Sequence, residues 1–398
     1  MAFPCTDQDA GRTSAVVSLK RASSSHLSHS NLSAQQGESS AHTASNQGVD
    51  GVQWARRLRK IKPDAADYPL LAIVGPTAAG KSALALELAE RLGGEVVNYD
   101  SVQLYRGFDV GSGKLTPEER RGIPHHLLDC LEPGQVFTAG DYRREAQKVL
   151  ADLRTRGMLP ILVGGTGLYL RALLLGLFEG PARSEALRER LSAMAERRGR
   201  EFLHRLLRRL DAVAAERILP RDTQKLIRAL EVCIQARQPL STLHARGRTG
   251  LEGFRVIKIG LAPPRAQLYE RINRRVEGMF AAGLMEETRA LLARPDAECI
   301  KSLGALGYRQ ASAALEGKTS QMEALGLTQI ATRHYAKRQI TWFRREADIT
   351  WYEGFGDDPD VQRRIMETLS RMPAPAGNSS LDSHVVSAVP ENLRQGNP

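Results

Sequence analysis

The run Gly75-Pro76-Thr77-Ala78-Ala79-Gly80-Lys81-Ser82 follows the pattern G-x-x-x-x-G-K-[ST], and no other stretch restricts the fold as much. In front of it, Leu70-Leu71-Ala72-Ile73-Val74 is a short apolar run of buried-strand type. Behind it, Leu84, Leu88 and Leu92 recur at helical spacing. Strand, loop and helix are therefore expected in that order. The glycines let the backbone turn its N–H groups toward phosphate oxygens, the lysine adds a point charge, and the serine hydroxyl can ligate Mg²⁺. A phosphate-binding loop is a better reading than an accidental turn. The loop alone names neither the phosphate compound nor the reaction.

Further strands support an α/β fold. Glu95-Val96-Val97-Asn98-Tyr99 reads as a second strand ending at Asp100-Ser101-Val102-Gln103-Leu104-Tyr105-Arg106. Polar residues just past the carboxyl end of such a strand face the ligand crevice of an open α/β sheet. Asp100 is so placed, although an N-cap or turn aspartate explains its position equally well. A strand is also expected over His125-His126-Leu127-Leu128-Asp129. Its adjacent histidines point to opposite faces, which argues against one shared metal ion. Thr138 reads as the cap of a helix running to Arg156. Pro160-Ile161-Leu162-Val163 is a strand entering Gly164-Gly165-Thr166-Gly167, a glycine-rich turn where a ligand can approach closely.

From Arg183 to Arg237 strands vanish and helical patterns dominate. That stretch holds 14 Lys and Arg against 8 Asp and Glu, more than half of the chain's net charge of +11. Solvated helix faces account for many such residues, but a one-signed excess in an inserted segment fits a phosphate-backbone contact surface better. The sheet resumes at Phe254–Leu261. A helix from about Ala266 places Arg271 and Arg275 one turn apart, able either to pair with acidic neighbours or to clamp an anion. A helix over Thr328–Glu346 and a last strand over Ile349–Tyr352 follow. Residues 1–65 and 373–398 lack apolar periodicity and are expected to be disordered tails. Cys5, Cys130, Cys233 and Cys299 are scattered and read as ordinary thiols of a reducing compartment. No apolar run of membrane-spanning length occurs, so a cytoplasmic protein without a membrane partner is expected.

Taken in order, GPTAAGKS, YDSVQLYRG, PHHLLD, LVGGTGLYLRAL, TQKLIRALEV, LYERINRRVEGMFAAGLMEE, GALGYRQ and RHYAKRQITWFRRE resemble the bacterial tRNA dimethylallyltransferase (tRNA isopentenyltransferase) family. The likeness spans about Leu70 to Tyr352, and the zinc finger of eukaryotic relatives has no counterpart. It implies a P-loop kinase-like parallel-sheet core with an inserted, mainly helical basic domain. The core would occupy 66–180 and 251–355, the second part with a helical bundle, and the insertion 181–250 would grip tRNA. The implied reaction transfers a dimethylallyl group from dimethylallyl diphosphate to N6 of adenosine 37, next to the anticodon. The loop Gly75–Ser82 would then hold an allylic diphosphate, with Mg²⁺ on Ser82 and Thr77 near the prenyl donor. Asp100 matches the family's general base and Thr166 its channel threonine, while Arg275 would stabilise the leaving diphosphate. For tRNA the pattern falls on Asp100-Ser101-Val102-Gln103, Thr166, Arg188, Gln224-Lys225-Leu226-Ile227-Arg228 and Gly304-Ala305-Leu306-Gly307-Tyr308-Arg309. The adenosine would be flipped out of the anticodon stem-loop into the core. A monomer is expected.

Three other readings use the same loop: a P-loop nucleotide kinase with Asp100 as a magnesium ligand or nucleoside anchor, an isopentenyltransferase acting on free AMP, and a nucleotide-dependent RNA-binding switch. The basic insertion and the GALGYR segment weigh against both small-molecule readings.

Overall fold

The structure, a computed structural model, describes residues 61, 67–298 and 304–372. The two expected tails fall outside these residues except for Ile61, as do Cys5 and Cys299. Strand β1 (Tyr68–Val74) is buried along its whole length. Leu70, Ala72 and Val74 enter one apolar cluster and Leu71 and Ile73 another, the alternation of a strand covered on both faces. With β2 (Gly94–Asn98), β3 (His125–His126), β4 (Leu159–Val163), β5 (Phe254–Leu261) and β6 (Ile349–Tyr352) it forms one sheet, in the order β3-β2-β4-β1-β5-β6. Every neighbouring pair is parallel.

Helices cover both faces. Helix α1 (Lys81–Leu92) lies on one face, while α2 (Ala139–Thr155) and α3 (Gly167–Leu175) lie on the other. Thr138 caps α2 with a full capping box to Asp141, as its position in the sequence suggests. Between α3 and β5 come α4 (Glu185–Arg198), α5 (Arg200–Leu210), α6 (Ala212–Arg217), α7 (Thr223–Ala236) and α8 (Leu240–Ala245). They close on a cluster of their own around Leu203, Leu207, Leu226 and Leu230. After β5 follow α9 (Arg265–Ala281), α10 (Leu284–Leu292), α11 (Tyr308–Leu315), α12 (Gln321–Phe343) and, beyond β6, α13 (Pro359–Arg371).

Three elements differ from the sequence expectation. The strand at 125–129 stops after two residues, because Leu127 and Asp129 turn to φ 54° and 53°. Helix α12 begins at Gln321 rather than Thr328, since Ser320 and Glu323 form a capping box. It ends at Phe343. Helix α13 lies past the expected end of the core. Asp358 caps it, Pro359 starts it, and Val361, Ile365 and Leu369 bury one stripe against the sheet face that α1 covers.

Candidate active site

The carboxyl ends of β1, β4 and β2 lie side by side, and the three loops leaving them build one wall of a cleft of about 600 Å³. This is the place where an open parallel sheet presents ligand-binding loops. From the first loop, Thr77, Ala78, Gly80, Lys81 and Ser82 line it. Gly80 takes φ 82° before α1, and a Cβ there would stand 2.7 Å from Asp357 Oδ1, so only glycine fits the turn. Helix α1 has no acidic residue in its first turn and no side-chain cap, which leaves its N–H groups for an anion. Lys81 Nζ donates to the Pro76 carbonyl at 2.7 Å, which folds the side chain over the loop. Burial, and then the nearby Arg275, push the Lys81 pKa down to about 7, against the pull of Asp100.

The second loop brings Asp100. Asn98, buried at the end of β2, accepts the Asp100 N–H at 3.0 Å and donates to the Leu127 carbonyl at 2.8 Å. Asp100 Oδ1 accepts the Val102 N–H at 3.0 Å, and Oδ2 accepts nothing from the described residues. The carboxylate is thus held by one oxygen and open at the other. A Cβ on Gly164 would lie 2.6 Å from Asp100 N, and one on Gly165 would lie 3.0 Å from Oδ2. The paired glycines are what let the third loop pass this close. Of the residues after Asp100, Gln103 lines the cleft and donates to the Ser112 carbonyl at 3.2 Å.

Thr166 lies in that third loop but does not line the cleft. Its Oγ1 accepts the Ser101 N–H at 2.9 Å and donates to Ser101 Oγ at 3.1 Å, tying the Asp100 loop to the Gly164–Gly165 turn. The opposite wall comes from α9 and α12 and from the loop at 109–116. On α9 the two arginines separate. Arg271 forms a two-pronged pair with Asp357 at 2.8 and 2.9 Å and stacks on Phe355, whereas among the described residues Arg275 reaches only the Ser112 carbonyl, at 3.5 Å. Burial lowers the Arg275 pKa, and the charge of Asp100 opposes that shift.

Sequence reasoning missed Gln339. It is buried on α12, accepts the Thr77 N–H at 2.7 Å and donates to the Gly165 carbonyl at 2.9 Å, bridging the first and third loops. A polar residue on the buried stripe Ala336-Gln339-Phe343 was the available signal. Glu287 was missed too. It accepts the N–H groups of Asp109, Val110 and Gly111 and the Tyr308 hydroxyl, which fixes the 109–116 wall.

The expected RNA contacts divide by exposure. In the α7 segment Gln224 and Lys225 are exposed and Arg228 is partly so, but Leu226 and Ile227 are buried in the insertion's core. Their side chains therefore support the helix. In the other segment Gly304 and Arg309 are exposed and Leu306 is partly so, whereas Ala305, Gly307 and Tyr308 are buried. Tyr308 packs edge-on against Phe108, with ring centroids 4.8 Å apart. Arg188 pairs with the buried Glu231. Away from the cleft, His125 binds the Ile123 carbonyl and His126 binds Glu95, which also holds Arg156. Cys130 and Cys233 are free thiols, and among the described residues no helix is long and apolar enough to cross a membrane.

A family model described as IPP transferase matches residues 103–346. The tRNA dimethylallyltransferase of Koribacter versatilis (strain Ellin345) is 53% identical over 304 residues, which cover 76% of this chain and 99% of that protein. The tRNA dimethylallyltransferase of Solibacter usitatus (strain Ellin6076) is 51% identical over 303 residues, covering 76% and 98%. Among solved structures, the full-length tRNA isopentenylpyrophosphate transferase of Bacillus halodurans has a TM-score of 0.56 at 38% identity, covering 76% of this chain and 95% of that one. A eukaryotic dimethylallyltransferase acting on tRNA reaches a TM-score of 0.65 at 25% identity, covering 77% and 80%. By sequence and by fold, the chain belongs to the IPP transferase family.

Proposed function

We propose that the chain transfers a dimethylallyl group from dimethylallyl diphosphate to N6 of adenosine 37 in the anticodon stem-loop of tRNA, releasing diphosphate. The observation that supports this most is the meeting, in one cleft, of an anion-binding loop with Lys81 and a carboxylate held by one oxygen only. The exocyclic amine of adenine is a poor nucleophile because its lone pair is delocalised into the ring. As the C–N bond forms, the nitrogen must shed a proton, and Asp100 Oδ2 is the acceptor. The C–O bond to diphosphate breaks as that bond forms, and negative charge gathers on the leaving group. Lys81, the N–H groups at the start of α1 and Arg275 stabilise it there. Gln339 keeps the donor loop and the Gly165 turn in register.

The donor set also fits a hard divalent ion, because Ser82 lines the cleft with a hydroxyl that bonds to nothing among the described residues. Ser82 and the diphosphate oxygens would hold Mg²⁺, which when bound offsets charge on the leaving group. The base reaches Asp100 only if it leaves the anticodon stack, and the basic helices α4 to α7 are suited to hold the stem-loop by its phosphates. The test is mass spectrometry of nucleosides from tRNA incubated with the protein, dimethylallyl diphosphate and Mg²⁺. N6-dimethylallyl adenosine is expected in tRNA. Its absence, or equally fast modification of free AMP, would overturn the assignment.

A further inference from the structure

The insertion contains one fully buried carboxylate, Glu231 on α7. Its Oε1 accepts the Ser184 N–H at 2.7 Å, at the start of α4. Its Oε2 accepts from Arg228 Nη1 at 2.7 Å and from Arg188 Nη1 at 3.3 Å. Arg228 is further fixed by donating Nη2 to the Pro181 carbonyl at 3.1 Å. Arg188 uses no other donor toward the described residues and lines a groove of about 600 Å³ between α4 and α7, with Arg183, Arg200 and Gln224. A neutral acceptor would serve the Ser184 N–H as well. Burying a full charge in an apolar helical cluster is a poor route to stability alone, because desolvation offsets much of the attraction. What a carboxylate adds here is a fixed seat for two guanidinium groups from different helices.

We propose that Glu231 is a positioning residue for RNA, holding Arg188, which lines this groove, and Arg228 in fixed orientations so that their remaining donors meet phosphates of the stem-loop. The inference rests on the tRNA reading above. A guanidinium already held in place loses less side-chain freedom when it binds phosphate, and its planar fork keeps the geometry that a two-pronged contact needs.

The test compares full-length wild-type protein with Glu231→Gln, using an anticodon stem-loop RNA as probe over a series of KCl concentrations and dimethylallyl diphosphate with Mg²⁺ as the control ligand. The substitution removes a negative charge, so a surface acting by charge alone binds RNA as tightly as before or more tightly. Positioning predicts affinity weaker by about tenfold, the scale of re-ordering two long side chains. It also predicts a salt dependence shallower by about one released counterion, with donor binding unchanged. Unchanged or tighter RNA binding overturns the inference. Arg188→Lys answers the same question should Glu231→Gln not fold, since it keeps the charge and loses the fork. Weaker RNA binding supports positioning, and wild-type affinity overturns it. Wild-type protein that does not bind the stem-loop overturns the tRNA reading and this inference together, whereas wild-type binding with an unaffected Glu231→Gln overturns the inference alone.

Discussion

The cleft and the helical insertion, the two regions proposed to meet anions, are built in different ways. The cleft is mostly backbone. Its donors are loop N–H groups placed by strand ends, Gly80, Gly164 and Gly165 sit where Cβ atoms would collide, and Lys81, Asp100 and Arg275 are partly shielded. In the insertion the charged groups are long side chains standing on a separate apolar cluster, oriented by ion pairs such as Arg188–Glu231–Arg228. A backbone site can hold a reacting group to within tenths of an ångström, as chemistry requires, whereas a side-chain surface suits a large polyanion that needs many looser contacts. Substitutions in the two regions should therefore fail differently.

The largest contrast is expected at Lys81. Replacing it with Ala should lower kcat/KM for the donor by roughly 10³-fold, the upper range for losing a charge-stabilising donor. Stem-loop affinity should stay within a few-fold of wild type, as equilibrium binding of the RNA would show. A matching loss of RNA affinity would mean that the two regions are not separate.

Next comes the pair on α9. Arg275→Ala should slow transfer by about 10²-fold. Arg271→Ala should cost about 1 kcal/mol of stability or less, because its partly exposed pair with Asp357 is screened by solvent. Steady-state kinetics beside thermal melting of both variants checks this. The opposite ranking would place Arg271 on the diphosphate.

A smaller effect follows from the Lys81 pKa, lowered by burial to about 7. An anion favours the charged lysine and raises that pKa on binding. Donor affinity should be flat below pH 7 and weaken above it, by up to about tenfold per pH unit until the bound-state pKa is reached. On the proposed reading RNA affinity rests on arginines, and it should show no break near pH 7. Titration calorimetry of both ligands between pH 6 and 9 measures the difference.

The smallest functional change is expected from Ile365→Ala on α13. It should lower stability by about 2–5 kcal/mol through a cavity against the sheet and leave kcat per folded molecule unaltered. Denaturant unfolding and active-site titration separate the two.

How much of this was legible in the sequence follows the same division. The loop at 75–82, Asp100 and the strand ends were readable because local patterns encode them: apolar runs, fixed glycine offsets, and a polar residue directly after a strand. Strand β5 and β6 match their expected bounds, Phe254–Leu261 and Ile349–Tyr352, since β-branched and apolar runs define them. Helix α13 was legible in its Asp-Pro start and its stripe, but it lies beyond the last motif of the resemblance. Gln339 and Glu287 meet partners 262 and 178 residues away. No local pattern reports such a pairing. The arginines of the insertion showed as charge, while the orientation of Arg188 and Arg228 depends on a buried glutamate that composition counts as one more acidic residue. Tyr308 and Leu226 belong to matching motifs although they face the interior, because a motif records what a helix needs for packing along with what it presents.

The central claim is that Asp100 takes the proton from the amine in a cleft where the donor diphosphate is held by other groups. Single-turnover transfer to an anticodon stem-loop by Asp100→Asn, at saturating RNA and donor and over a series of Mg²⁺ concentrations, tests it most directly. The account predicts a rate at least about 10²-fold below wild type at every Mg²⁺ concentration, with both substrates still bound. A near-wild-type rate, or recovery as Mg²⁺ is raised, would contradict it and make Asp100 a metal ligand or a loop support.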